Sequence, residues 1–524
     1  MQALTHTLPD TQSLGDFEKD CSFQKDDMGS GRKDLQQIGQ TQSQSAMADV
    51  YAQSREKGHT RCDVNTTDWN GPDDPDNPHN WSVGMKVYHA AAPALLGFAV
   101  TFGTSVYTPA VSDVMRDFDV SRTVALLGLT FFTLGIGLGP MATAPLSEFY
   151  GRRIIYIVST PVFMLFTLGA GFSKSFYSLV ICRFFAGVTG SPALAVGAGT
   201  NADLFPLHQR ALATSIFLAA PFAGPSLGPV VGGFTAQYKT WRWSQWCMIF
   251  VTLTAYMVAV LMKETYKPMI LKQRAKLYGI EPVDDHSNGE KLMNAIILKV
   301  LRPSHMLLTE PVVFFFSMYT AFAFGVLFLL FAAIPYILQR PPYSFTISQS
   351  GLAFLSVGIG VILGTITCIL VDQMLYQKIH RKIVAHGKPY VEPEHRLYSA
   401  MIGSSGIVIG LFWLGWCANT EQHWATCLAG AIPFAWGNIC LFNSAALYLV
   451  DVYGPLNGAS AMAANGISRY TFGAVFPLFA VQMYEGLGIG WATSLLGFLA
   501  LFMLPIPWIF FKWGPNIRAK SNYP

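Results

Sequence analysis

The chain has 524 residues, of which 52% are hydrophobic and only 13% charged, about half the charged share of a soluble domain. That balance excludes an ordinary water-soluble protein and requires much of the chain to lie in lipid. A net charge of +4 is too mild for a nucleic-acid partner, and the eight cysteines fit neither a metal-ligand spacing nor a disulfide framework.

Residues 1–80 are polar, rich in Gln, Ser, Asp and Thr, with no apolar stretch after Met1. They read as a disordered cytoplasmic tail and not as a cleaved secretory signal. From Tyr88 onward, twelve stretches are long and apolar enough to cross ~30 Å of hydrocarbon as helices. They are 88–110, 123–147, 154–173, 176–200, 212–236, 244–262, 311–335, 349–371, 398–418, 424–447, 458–482 and 489–511. Ten hold no Asp, Glu, Lys or Arg; the fourth holds Arg183 and the eleventh Arg469. Alternating ~10-residue segments, the mark of a membrane barrel, are absent. The sequence therefore predicts an all-α membrane protein.

With both termini on the inside, the inner loops and C-terminal tail carry 19 Lys and Arg against 6 in the outer loops. The positive-inside rule selects that orientation. The Asn-x-Ser/Thr sites at Asn65 and Asn80 then lie in the cytoplasm and escape glycosylation. The polar, basic stretch 264–308 separates six spans (81–263) from six more (309–512), and 513–524 forms a second cytoplasmic tail. The two sets share sequence: GLTFFTLGIG from Gly128 and GLAFLSVGIG from Gly351 agree at six of ten positions. Helices six spans apart run the same way, so this is a parallel repeat with its axis along the membrane normal. Transporters built as twelve helices in two six-helix bundles have this organisation.

GIGLG at 135–139 imitates a nucleotide loop but sits inside an apolar span with no preceding strand, so Gly135 and Gly139 read as a helix-packing face. No phosphate loop, HExxH or nucleophile elbow is present, and an enzyme is not expected. After the second span, PLSEFYGRR sets Glu148 one short loop from Gly151, Arg152 and Arg153. A carboxylate and an Arg pair on consecutive helix ends can form a latch that exists in one conformation and breaks in another. A solvated Glu beside a positive-inside anchor is the simpler reading. In the second half Asp372 stands one residue off the position matching Glu148, so that copy looks degenerate.

In the fifth span Gly224, Gly228 and Gly232 share one helix face, interleaved with Pro225 and Pro229. Bare backbone and freed carbonyls suit either a tight packing face or a pivot. Arg183 is the costliest residue, at about 2.5–3.5 kcal/mol for a charge at a helix centre. Asp203, near the cytoplasmic end of the same helix, is its nearest carboxylate on that helix. Arg469 has Asn465 one turn before it. Pairing with backbone carbonyls remains open for both arginines.

On these residues the chain, over roughly 68–515, resembles the major facilitator superfamily and, within it, the fungal-type twelve-helix drug:proton antiporter family. PLSEFYGRR resembles the superfamily's loop signature, Arg183-x-x-x-Gly187 its fourth-helix motif, and Gly224 through Gly233 the antiporter signature of the fifth helix. DWNGPDDPDNPHNW, KETYKPMIL and PEHRLY resemble family flanks. One departure stands out: Ala332 and Ala333 precede Pro335 where relatives often carry a Glu.

The resemblance implies a multi-pass plasma-membrane transporter, monomeric among its lipids and working without a cofactor. It would export a small organic molecule (drug, secondary metabolite or organic acid) against proton entry. Proton coupling then falls to Arg183, Asp203 and Glu148, the cytoplasmic gate to Glu148, Gly151, Arg152 and Arg153. The pivot would be Gly224, Gly228, Pro229, Gly232 and Gly233. The substrate cavity would use Phe102, Tyr107, Tyr319, Phe322, Asn465, Arg469 and Tyr470. With no carboxylate inside any span, a neutral or anionic substrate fits better than a polyamine. A proton-coupled importer or a uniporter shares the same fold, and a non-transporting sensor is a more distant reading.

Overall fold

The computed structural model describes residues 68–279, 301–386, 391–418 and 423–521, and among them there are helices and turns but no strand. Most of the expected tail, 1–67, and much of the expected central loop, 280–300, lie outside the described residues. Residues 68–80, assigned above to the tail, carry defined contacts. The Asn77 side chain accepts the His79 N–H at 3.0 Å, capping a short helical turn over Pro78–Asn80.

The chain divides into two compact units, Met1–Asp74 with Leu271–Val283, and Pro75–Ile270 with Asp284–Pro524. In the first, a buried ion pair of 2.9 Å joins Arg274 to Asp74, and the Arg274 guanidinium lies 5.8 Å from the centre of the Trp69 ring.

The second unit holds the spans: α1 Val83–Phe118, α2 Arg122–Tyr150, α3 Arg152–Gly171 and α4 Phe176–Leu204, then α5 Leu207–Tyr238 and α6 Arg242–Val260. The other six are α7 Pro311–Leu338, α8 Ile347–Ile383, α9 Pro393–Cys417, α10 Trp424–Gly454, α11 over 455–487 and α12 Ile489–Arg518. Eleven of these qualify by length and hydropathy as membrane-crossing. The twelfth, α11, is hidden in a 57-residue helix, Ala431–Leu487, that turns at Gly454 (φ 64°) and is two helices end to end. The observed helices overrun several expected bounds, α8 most of all, because polar turns at its end extend it past the lipid.

Local chemistry explains the starts. Ser82, Ser121 and Ser175 cap α1, α2 and α4 through their side-chain oxygens, and Thr346 with Gln349 forms a reciprocal capping box at α8. Burial then sorts the helices: 89% of the apolar window of α7 is enclosed by protein, against 33% for α3, α6 and α12. The latter three turn side chains such as Phe172, Leu261 and Phe502 outward, as a lipid-facing surface requires.

The repeat is visible in the packing. A side chain on Gly135 or Gly139 would strike the backbone of α4, so α2 and α4 meet backbone to backbone. Gly360 and Gly364 of α8 meet α10 in the same way. Across the bundles, α2 reaches α11, with Thr130 Oγ1 donating to the Ala474 carbonyl at 2.8 Å. Its counterpart α8 reaches α5, with Gly351 against the Pro229 carbonyl. Both halves thus use the same helix for an inner and a cross-bundle contact.

Candidate functional site

The two ends of the second unit differ. At one end, which we call the charged end, a Gly151 with φ 91° turns α2 into α3. Glu264, just after α6, holds that turn: its Oε1 accepts the Arg152 N–H at 3.0 Å and its Oε2 the Arg153 N–H at 3.1 Å. Oε1 also accepts the N–H groups of Thr265 and Tyr266, each at 2.9 Å. A carboxylate on the first amides of a helix satisfies orphan donors and meets the positive end of the helix dipole. The Arg152 side chain then reaches Asp203 at the end of α4 (3.3 Å), donates to Ser147 Oγ (2.7 Å) and lies 4.8 Å from the Tyr266 ring centre.

Of the expected gate, Gly151 and Arg152 take these roles, while Arg153 enters through its backbone N–H and its side chain is exposed. Glu148 is exposed at the end of α2. The sequence reading missed Glu264, whose only sign was its place in the KETYKPMIL flank.

The second half carries a counterpart cluster, built on Arg396 and Asp451 with Asp372 beside them. Arg396, at the start of α9, donates from Nε to Asp451 at 2.7 Å and lies 3.4 Å from Asp372, with the Tyr376 ring centre 3.6 Å away. Asp451 ends α10 as Asp203 ends α4. The cluster's arginine again sits at the start of the helix that follows the connection, here a longer one. Beside it, Arg518 grips Glu394 with two bonds of 2.9 and 2.8 Å.

Arg183 sits inside the first bundle and is almost inaccessible. It donates to the Gly128 carbonyl (2.7 Å), the Gly103 carbonyl (3.0 Å) and Gln245 Oε1 (3.3 Å). The rings of Tyr107 and Phe132 sandwich it at 4.4 and 4.7 Å. Carbonyls and a side-chain amide, not a carboxylate, are its described partners, and Asp203 is engaged with Arg152. The structure does not bring Arg183 and Asp203 together. It also moves Tyr107 out of the expected cavity, because its hydroxyl donates to the Ala125 carbonyl at 2.8 Å beneath Arg183. Phe102 is likewise buried in the first bundle, where Gly224 abuts its backbone.

Arg469 lies between bundles in a ring of aromatics. Phe442, Tyr470 and Phe324 have their ring centres 4.0, 4.8 and 4.9 Å from its guanidinium. Phe222 of α5, from the other bundle, packs on this group at 5.4 Å from Phe442 and 6.5 Å from Phe324. One turn before Arg469, Asn465 donates to Thr320 Oγ1 at 2.6 Å. Tyr319 and Phe322 of α7 are buried in the second bundle, the latter 6.3 Å from Phe476. Phe222, Phe324 and Phe442 carry no mark in the sequence that separates them from other apolar-span phenylalanines.

The expected pivot splits in two. Gly224, Gly228 and Gly232 all face α1, at Thr101, Ser105 and Val106, which makes them a packing face inside one bundle. Pro229 and Gly233 face Gly351 and Ile347 of α8 across the bundles. At the end opposite the charged one, Gln482 donates to Thr123 (3.1 Å) and the Ser348 N–H to Gln237 (2.9 Å), both between bundles. A cavity there of about 40 Å³, lined by Arg122, Pro229 and Phe354 among others, has room for a few waters and is too small for an organic substrate.

Two helix bundles facing each other across glycine-lined seams, with charge clusters on the same end of each, define a two-bundle membrane transporter. The sequence matches the Major Facilitator Superfamily over residues 94–477, and the chain belongs to that superfamily, with relatives of the fungal drug-efflux type. It is 39% identical over 494 residues to polyamine transporter 4 of Saccharomyces cerevisiae, covering 89% of this chain and 74% of that protein. It is 36% identical over 468 residues to the multidrug transporter FLU1 of Candida albicans (87% and 75% covered), and 37% over 460 to the efflux pump FUBT of Fusarium oxysporum (86% and 76%). Among solved structures it resembles the xylose transporter XylE from E. coli in a partially occluded inward-open form, with TM-score 0.59, 16% identity, and 82% and 98% of the two chains covered. That last likeness concerns the fold.

Proposed function

We propose that this transporter exports a small organic molecule from the cytoplasm in exchange for protons, as a monomer in the plasma membrane with both termini inside. The observation that carries the reading is the placement of ionisable groups. Carboxylates occur toward the ends of the described spans, and at the charged end four are tied to arginines: Asp203 to Arg152, Asp372 and Asp451 to Arg396, and Glu394 to Arg518. A proton taken up by Asp203 neutralises it and frees Arg152, so protonation loosens the mouth of the first bundle. Arg183, bonded to the Gly128 and Gly103 carbonyls and to Gln245, holds together the bundle that carries this switch. One charge moving through 100 mV supplies about 2.3 kcal/mol, enough for a useful gradient. The likeness to the Fusarium oxysporum efflux pump supports the outward direction.

The test is substrate-driven proton movement in proteoliposomes for the wild type, Asp203→Asn and Asp451→Asn. Substrate flux accompanied by proton flux in the wild type, uncoupled by Asp203→Asn, is expected. Substrate flux with no proton movement would mean a uniporter and would sink the antiport reading.

A further inference from the structure

Two arginines lie within the spans, Arg183 almost inaccessible and Arg469 half-buried, and they are satisfied to different degrees. Arg183 makes three hydrogen bonds to two carbonyls and an amide. Arg469 is held by rings, and its buried Nε has no hydrogen-bond partner among the described residues. On the same helix, four positions before, Asn465 is almost wholly buried and its Oδ1 is also without a partner. The amide orientation is fixed by its neighbour: the Thr320 hydroxyl donates to the Phe316 carbonyl at 2.8 Å, so it accepts from Asn465 Nδ2. What is left over is a charged donor at Arg469 and an acceptor at Asn465, on residues one helical turn apart, ~6 Å of rise along the axis. Buried polar atoms left open in a folded protein are the places where a ligand or water completes the bonding.

We propose that Arg469 is the receptor for the carboxylate of an organic-acid substrate. The same molecule donates a hydrogen bond to Asn465 Oδ1, and its apolar body displaces Phe442, Tyr470 and Phe324 from the guanidinium. Phe222 closes the box from the opposite bundle, so occupancy of this site requires both halves. A polycation is excluded on charge, since it would meet a guanidinium in a region of low dielectric with no carboxylate among the contacts described. The substrate of this site is then a ring-bearing carboxylic acid with a hydroxyl or N–H donor. The inference rests on the transport reading only for which side the acid leaves by.

Binding to the purified full-length chain, by equilibrium dialysis in detergent, tests it with four probes: 4-hydroxybenzoate, benzoate, 4-hydroxybenzamide and spermidine. The wild type binds 4-hydroxybenzoate best, benzoate less for want of the donor, and the neutral 4-hydroxybenzamide about tenfold or more weaker, the loss of one charge-assisted bond. Spermidine does not compete. Arg469→Gln abolishes the preference for 4-hydroxybenzoate over 4-hydroxybenzamide, and Arg469→Lys, which keeps charge without the planar fork, restores part of it. Asn465→Ala removes only the advantage of 4-hydroxybenzoate over benzoate. Asn465→Ala and Arg469→Lys keep the test open where Arg469→Gln fails to fold. Equal binding of acid and amide, competition by spermidine, failure of both acids to bind, or an unchanged preference in Arg469→Gln each overturns the proposal. Acid binding without coupled proton flux would sink the antiport reading and leave this one standing. Proton flux driven by a polyamine alone would do the reverse.

Discussion

Replacing Glu264 by Gln changes three atoms' worth of chemistry at the α2–α3 turn. The carboxylate accepts four backbone N–H groups, three on Oε1 and the Arg153 N–H on Oε2. A carboxamide keeps one acceptor and turns an NH2 toward the remaining donor. The bond from Arg153 is lost, worth about 1.5–3 kcal/mol for a charged acceptor, and the other three fall to neutral strength, about 1 kcal/mol less each. Because four donors share one group, these losses do not add, and about 2–3 kcal/mol of local stability is the working figure. Hydrogen exchange followed by mass spectrometry reads it directly. Peptides containing Arg152, Arg153, Thr265 and Tyr266 exchange roughly 30–150-fold faster in Glu264→Gln, while peptides in the middle of α3 are unchanged. Equal exchange in both proteins would show that Glu264 does not hold the turn. Uniform acceleration along α3 would show that the change unfolds the helix and not the turn.

Gly151→Ala puts a side chain on a residue at φ 91°, ψ 161°, a region that is essentially glycine-only, and drives its Cβ into the Glu264 carboxylate. It costs about 1–3 kcal/mol, read as a lower melting temperature than Gly466→Ala, where the space is open. Arg183→Gln leaves the Gly128 and Gly103 carbonyls without their donor from α4, so the first bundle loses thermal stability whether or not a proton gradient or substrate is present. A loss that appears only under a gradient would contradict this structural role. Arg396→Gln strands Asp372 and Asp451 and lowers stability by about 3–5 kcal/mol, and adding Asp451→Asn recovers part of it in a double-mutant cycle of thermal denaturation. Gly228→Ala crowds Ser105 and depresses folded yield, whereas Gly358→Ala, with Ser226 Cβ at 3.4 Å, is tolerated in fluorescence-detected size-exclusion profiles.

Long apolar runs made the helix count readable, and the Gly128 and Gly351 segments made the duplication readable, because both properties are local or periodic. The repeated glycines do mark the helices that pack twice, once within a bundle and once across. What the sequence could not deliver was pairing. Asp203 and Arg152 are 51 positions apart and Arg396 and Asp451 are 55, and nothing periodic connects them. The costs of burial singled out Arg183 and Arg469 in the sequence, yet only coordinates separate the cation that donates from every nitrogen from the one held by rings. Tyr107 shows the same limit. An aromatic near the end of the first span suits a cavity or a core equally well, and the Ala125 carbonyl decides for the core.

Gly454 joins α10 to α11 with φ 64° and with no atom within 4 Å of where a side chain would stand. Asp451 lies three residues before this bend and Arg469 fifteen after it, about 22 Å along the helix axis. Geometrically this is a crank. A tilt of roughly 5° at the glycine carries the Arg469 guanidinium about 2 Å sideways over that length, comparable to the gap between a closed aromatic box and one with room for a ligand. The short arm is anchored at Arg396 and the long arm ends at Phe222 of the opposite bundle. A change in the ionic grip on Asp451 that tilted the chain at Gly454 would move Arg469 sideways against Phe222, so the bend places the ion pair and the aromatic ring on one lever.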